Sequence, residues 1–170
     1  YCYSKEDKDR FKNFNLEKLP ITKVRTRAKL FLGLIYVQLL LGAVQRHAEA
    51  GLAVPDFPTM GGHYCPTWDI LIQNVNIMRY NMDLDPVSSL QVGLNLAHRF
   101  GALVVLVCTF LFVYTTRKEL EDFKKALQTL YTLLGLVLLQ VLLGITVIWT
   151  EKHSFITSLH VVIGALILGL

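Results

Sequence analysis

Long apolar stretches separated by short polar connections dominate this sequence. They cover residues 28–44, 90–114, 127–150 and 155–170. Because a membrane-spanning helix needs about 20 predominantly apolar residues, the second and third stretches predict spans, while the first is near the lower limit and the fourth stops with the sequence. The pattern therefore predicts an all-α membrane protein built as a four-helix transmembrane bundle.

Composition supports this class. Hydrophobic residues make up 53% of the 170 residues, and the mean hydropathy is +0.44, which is more apolar material than one small soluble core usually holds. The sequence begins at Tyr1 without a methionine or a signal-peptide pattern and ends inside an apolar stretch. We therefore expect the chain to be part of a longer membrane protein.

Basic residues predict the orientation, because short loops rich in Lys and Arg stay on the cytoplasmic or matrix side. They precede the first span and fill the link between the second and third spans: Lys18, Lys23, Arg25, Arg27, Arg117, Lys118, Lys124 and Lys125. Residues 1–27 are thus expected to form a linker on that side, and residues 28–170 the four spans. The net charge of +4 follows from this bias and gives no reason to expect nucleic acid as a partner.

The connection at residues 46–88 falls on the opposite, outer face. It is far longer than a usual link between packed helices, so it is either a folded cap or a disordered linker. Its aromatic residues favour a folded cap: Phe57, Tyr64 and Trp68.

Two histidines lie within the predicted spans. His98 and His160 are about 15 and 9 Å below Ser88 and Ser154, the outer ends of spans two and four, at about 1.5 Å per residue. An ionisable group inside a membrane costs about 3 kcal/mol on insertion scales, so it normally has a partner or a function. Matched depth predicts two imidazoles binding one haem iron from opposite sides. The alternative is a pair of histidines that only form hydrogen bonds between helices.

The other histidines are His47, His63 and His153, which lie at or outside the outer boundary. Water solvates an imidazole cheaply there. We expect His63 and His153 to be surface residues.

A short internal repeat supports pairing the spans. "QLLLGAV" begins at Gln38 and "QVLLGITV" at Gln140, while "HRFGALVV" begins at His98 and "HVVIGALIL" at His160. These matches predict a duplicated helix pair, related by an approximate twofold axis, in which the two glutamines bond across helices. The alternative is that apolar helices resemble one another by composition.

Two arginines could pair with the propionates of a haem. Arg99 follows His98 and lies too deep to reach the headgroups easily, so we expect it to bind one propionate. Arg46, at the outer end of span one, either binds the other propionate or extends to the headgroups as an interfacial anchor.

Several motifs in combination resemble the haem A synthase family (CtaA type). They are "QRHAEAGLAVPDFPTMGG" from Gln45, "AHRFGALVV" from Ala97, "LQVLLGITV" from Leu139 and "SLHVVIGALILG" from Ser158. The similarity runs from about residue 30 to the end of the chain.

The resemblance implies eight spans in two homologous halves, which together oxidise a ring methyl of haem O to the formyl group of haem A. The amino-terminal half is held to be the substrate site and has a glutamate one turn before its His-Arg motif, whereas the other half binds haem b. Asn95 stands at that position here. The chain therefore resembles the cofactor half, with His98 and His160 as iron ligands. Its cofactor-binding set would also include Arg99, Arg46, Gln38 and Gln140.

No catalytic residue is identified; Glu49 is the only acid near the outer pocket, where a structural or interfacial role is expected. The resemblance implies a multi-pass protein of the bacterial cytoplasmic membrane or the mitochondrial inner membrane. Its expected partners are the lipid bilayer, haem O in the other half, and haem O synthase or cytochrome oxidase assembly factors.

Two other functions fit parts of this pattern. A b-type membrane cytochrome that transfers electrons between a quinone and another carrier would use the same histidines, but it would not require the long outer loop. A transporter or assembly-factor bundle with hydrogen-bonding histidines would contain no haem.

Overall fold

The computed structural model describes residues 21–170, and over this range the chain is helical with no β-strand. The five α-helices and one 3₁₀ turn are α1 (Ile21–His47), the turn Ala50–Leu52, α2 (Trp68–Tyr80), α3 (Ser89–Thr116), α4 (Lys124–Trp149) and α5 (Ser154–Gly169). The predicted all-α class is confirmed for this part of the chain.

Three of the helices are long and apolar enough to cross a membrane: Thr22–His47, Ser89–Thr116 and Lys124–Trp149. They correspond to the first three predicted spans. The fourth stretch forms α5, which is apolar but only 16 residues long. Helix α1 begins before residue 28, and residues 1–20 of the predicted linker, with Lys18, lie outside the described residues.

Helix α3 starts where its sequence provides a cap. The Ser88 hydroxyl accepts a hydrogen bond from the Gln91 backbone N–H at 3.3 Å, and the Gln91 side-chain oxygen accepts one from the Ser88 backbone N–H at 2.9 Å. This reciprocal capping box satisfies two N–H groups that the first turn leaves without helical partners. The Gln91 amide nitrogen also donates to the Ala48 carbonyl at 3.0 Å, which ties α3 to the end of α1.

Helix α1 packs along α3 and α5, and α4 packs along the same two helices. Their shared core contains Phe31, Ile35, Val105, Val137 and Ile167. Other large apolar side chains point outward, as expected for helices whose solvent is lipid. At the end away from the cap, the Arg27 guanidinium pairs with Glu119 at 3.1 Å and donates to the Thr115 carbonyl at 3.2 Å, joining α1 to the link after α3.

The connection at residues 46–88, called the cap below, has a core of its own. Its buried residues are Ala50, Ala53, Val54, Leu71, Val75 and Val87, with Val92 of α3. Arg79 of α2 is 8% exposed; its Nε donates to the Asp85 carbonyl at 2.7 Å and its Nη1 to the Leu52 carbonyl at 2.8 Å. Burial lowers the pKa of Arg79, which the Asp85 carboxylate partly offsets. The cap is thus a folded layer over one end of the long helices.

Candidate functional site

Two glutamine–histidine contacts join the helices in pairs. Gln38 of α1 places its amide nitrogen 2.9 Å from the His98 carbonyl oxygen and 3.1 Å from His98 Nδ1, both on α3. Gln140 of α4 donates its amide N–H to the His160 carbonyl of α5 at 2.9 Å. The four residues singled out by the sequence repeat therefore meet as two pairs, each spanning two helices.

Glycines allow both contacts, because each side chain rests where a Cβ would intrude. A Cβ on Gly42 would lie 3.0 Å from His98 Cε1, and one on Gly144 would lie 3.3 Å from His160 Cε1. In return, a Cβ on Gly101 would overlap the Gln38 amide oxygen, and one on Gly164 would lie 2.9 Å from the Gln140 amide nitrogen. In each pair, a side chain of one helix therefore packs against a glycine of the other helix, and the reverse also holds. These four contact points are called glycine notches below.

The two histidines share the interior of the helix assembly. Helices α3 and α5 both pack on α1 and on α4, and the His98 and His160 side chains are close enough to interact electrostatically. Both are half-buried. Nδ1 of His160 is buried and has no hydrogen-bond partner.

Within residues 21–170 no group of three or more His, Cys, Asp or Glu side chains is arranged to hold a metal ion. A haem iron takes four ligands from its own porphyrin and needs only one or two axial ligands from the protein. His98 and His160 can supply two.

Arg99 is turned toward the cap. Its Nη1 donates to the Asp56 carbonyl at 2.8 Å and its Nη2 donates to the Val54 carbonyl. Its third nitrogen, Nε, is buried without a partner. The guanidinium therefore holds the backbone on either side of Pro55, and one donor is left for another acceptor.

Arg46 and the other three histidines are exposed. Arg46 is exposed at the cap end of α1, and no side-chain hydrogen bond joins it to any described residue. His47, His63 and His153 are exposed. Glu49 is also exposed and has a left-handed backbone conformation, with φ 54°, which suits a turn residue.

Asn95 and Asp56 have structural roles that the sequence reasoning missed. The Asn95 amide, 1% exposed, donates to the Ala50 carbonyl at 2.8 Å and to the Gly51 carbonyl at 3.2 Å. The Asp56 carboxylate accepts the N–H groups of Gly61 and Gly62, both at 2.9 Å. Both glycines have positive φ, 63° and 80°, which other residues rarely adopt. The spacing of Pro-Asp-Phe-Pro to Gly-Gly is the signal that could have indicated this turn.

Partial burial raises the pKa of Asp56, but hydrogen bonds from the Thr59 side chain and from the Gly62 and Gly61 backbone outweigh it and lower the pKa below its usual value. The carboxylate is therefore the stable form in the folded cap.

Trp149 joins α4 to the cap, since its indole N–H donates to the Phe57 carbonyl at 3.3 Å.

Comparison with known proteins agrees with the motifs. Residues 7–170 match the family described as "COX15-CtaA: Cytochrome oxidase assembly protein". The chain is similar to the "Heme A synthase" of Rickettsia prowazekii (strain Madrid E), with 30% identity over 80% of the chain and 37% of that protein. It is also similar to the "Heme A synthase" of Beijerinckia indica subsp. indica, with 33% identity over 84% of the chain and 38% of that protein. The resemblance inferred from the motifs is confirmed.

The match covers less than two fifths of the length of either relative, 37% and 38%. No solved structure matches the chain.

Proposed function

Because this chain belongs to the COX15-CtaA family of cytochrome oxidase assembly proteins, we propose that the protein carrying it converts haem O to haem A. In this proposal the chain is the half that holds a haem b cofactor, and the substrate haem lies in a second, homologous half. The two relatives named as haem A synthases support the overall activity. Their greater length leaves room for the second half.

The proposed architecture is a four-helix bundle with internal pseudo-twofold symmetry. Helices α1 and α3 form one pair and α4 and α5 the other. Support comes from the reciprocal glutamine–glycine and histidine–glycine contacts, which occur in both pairs at corresponding positions. Similar composition alone would not place a glutamine and a histidine against opposing glycines in both pairs.

His98 and His160 are the proposed axial ligands. The observation that supports this proposal is that their helices, α3 and α5, both pack on α1 and on α4, with the two imidazoles within electrostatic reach of each other. The residues fit a haem in a second respect, since Arg99, next to His98, keeps a buried Nε donor without a partner, which a haem propionate could accept from. Haem b bound between two imidazoles supplies one-electron transfer and leaves no iron position open for oxygen.

Other residues of the proposed site bind and orient. Arg99 keeps the cap closed over the site through two carbonyls, and its unpaired Nε is the donor left for a haem propionate. Arg46 remains either a second propionate partner or an interfacial anchor. Asn95 bears no carboxylate, and its amide is engaged with the cap. This half therefore lacks the acid expected at a substrate site, which agrees with a cofactor role.

The proposed setting is multi-pass insertion in the bacterial cytoplasmic membrane or the mitochondrial inner membrane. The cap would lie on the outer face and the basic link between α3 and α4 on the other face, according to the positive-inside rule. Haem O synthase or oxidase assembly factors are the proposed protein partners, because a reactive haem has to be delivered and passed on within the membrane.

Histidine variants of the full-length protein test the proposal. His98→Ala and His160→Ala should each abolish or strongly alter the reduced haem b absorption, and haem A should no longer accumulate in cells. His153→Ala, which removes an exposed histidine, is the matched control. Unchanged spectra in both ligand variants would reject ligation. A normal haem b spectrum in a protein that forms no haem A would favour the b-type cytochrome instead.

A further inference from the structure

The environment of the histidine Nδ1 atoms carries an inference that rests on the proposed function and goes beyond it. A histidine that binds iron through Nε2 must have a lone pair on that atom, so its ring proton sits on Nδ1. Metal-bound histidines almost always donate this proton to an acceptor, which fixes the ring and raises its basicity as a ligand. His98 and His160 each need such an acceptor.

Each histidine has an unused acceptor beside it. The amide oxygens Gln38 Oε1 and Gln140 Oε1 are both buried without a hydrogen-bond partner, although both side chains are held against a histidine residue by their amide nitrogens. A buried carbonyl oxygen left unpaired costs about 1–3 kcal/mol. Both of these glutamines contact a histidine residue, so the histidine ring is the common candidate for the missing donor.

We infer that the amide oxygens of Gln38 and Gln140 accept the Nδ1 protons of His98 and His160, and so present Nε2 of each ring to the haem iron. In the α4–α5 pair no existing hydrogen bond competes with this one, because His160 Nδ1 and Gln140 Oε1 are both unpaired. One hydrogen bond between them would satisfy both atoms.

The α1–α3 pair reaches the same state by turning one amide. Gln38 now points its nitrogen toward His98 Nδ1 at 3.1 Å, which suits a ring whose proton is on Nε2. Half a turn about the last side-chain bond exchanges oxygen and nitrogen, which are nearly equal in size. Because Oε1 would then take the place of a nitrogen 2.9 Å from the His98 carbonyl oxygen, the amide also has to move toward the ring, and this carbonyl keeps its intrahelical partner four residues on. The two glutamines are thus positioning residues that act through the histidines.

The midpoint potential of haem b in the full-length protein distinguishes this role from simple helix tethering. Gln38→Leu and Gln140→Leu remove the acceptor, make the imidazole a weaker donor to ferric iron and should shift the potential upward. Gln38→Glu and Gln140→Glu provide a stronger acceptor and should shift it downward. Gln128→Leu, at an exposed position of α4, is the matched control and should leave the potential unchanged.

The outcomes separate this inference from the function on which it rests. Wild-type protein without haem overturns both. Haem in the wild type, with potentials unchanged in all four variants, overturns the inference and leaves the proposed function standing. If a leucine variant binds no haem, the glutamate variant at the same position should still bind it, since an acceptor oxygen is retained. Loss of haem from both would also contradict the inference.

Discussion

The side chain of Asn95 is one of the links between α3 and the cap. Its buried amide serves two carbonyls of the 3₁₀ turn, Ala50 and Gly51. Removal of this amide leaves the Gly51 carbonyl without its donor, whereas the Ala50 carbonyl keeps the Ala53 N–H at 3.0 Å. The position is therefore sensitive to substitution although it touches neither histidine pair.

Replacing Asn95 by leucine should lower the free energy of unfolding by about 1–3 kcal/mol, the usual cost of leaving a carbonyl unpaired away from water. Thermal unfolding of the purified protein in detergent measures the loss. Asn81→Ala, at an exposed position in the cap, should change the midpoint little. Equal midpoints for Asn95→Leu and wild type would contradict the structural role of the amide.

At single positions, the sequence predicted the hydrogen bonds of the repeated helix pattern and missed those that form only when the cap folds. Gln38 stands in a pattern that recurs at Gln140, so hydrogen bonds across helices were predicted for both glutamines, although their histidine partners were not. The partners of Arg99 could not, because the Val54 and Asp56 carbonyls reach it only after the cap folds. Periodicity carries no information about such backbone contacts.

Among the elements, the helix pairs depend on glycine at the points of close approach. Gly101→Ala should push Gln38 away from α3, because the new methyl would overlap the amide oxygen. We expect a lower unfolding temperature and weaker haem retention, measured as haem per protein after purification.

Gly135→Ala is the matched control, since nothing lies within 4 Å of a Cβ at that position of α4. Alanine favours a helix over glycine by about 1 kcal/mol, so this variant should be as stable as wild type or slightly more so. If both alanine variants behaved alike, the close approach at Gly101 would have no energetic weight.

The cap should lose stability in acid because of Asp56. Its pKa is lower in the folded cap than in an unfolded chain, where Asp titrates near about 3.9, so its carboxylate contributes stability above that pH. The contribution disappears as the pH falls through the folded-state pKa. Limited proteolysis of the cap with an acid-stable protease should accelerate over this interval in wild type.

Asp56→Asn removes the titrating group and should flatten that part of the pH profile while raising cleavage at neutral pH. An unaltered profile in the variant would show that another group controls the acid sensitivity. Thr59, Gly61 and Gly62 donate to the carboxylate, so the effect should be confined to this turn.

The elements themselves were largely predictable. Two apolar stretches reach the length of a span and a third is near its lower limit, and all three became long helices, because in lipid every backbone polar group must be satisfied within the segment. Helix α2 was not predicted, although its aromatic residue Trp68 supported a folded cap. Its buried Arg79 and its packing on Val54 depend on contacts distant in sequence, which no local pattern reports.

At the scale of the whole molecule, we propose two helix pairs that bring two imidazoles to one iron. The same contacts that hold α1 to α3 and α4 to α5 position the ligands, so stability and cofactor binding should change together at the glycine notches. At the glutamines, by contrast, stability should stay the same while the haem changes, because a substitution to glutamate preserves the contact and alters the donor strength of the ring.

Electron paramagnetic resonance of the oxidised full-length protein, with and without added imidazole, tests the shared iron most directly. Wild type should show the low-spin ferric signal of haem with two imidazole ligands. His98→Gly and His160→Gly should each lose that signal, and free imidazole should restore it by filling the vacated ligand position. A low-spin signal that persists unchanged in both glycine variants would show that neither histidine binds the iron.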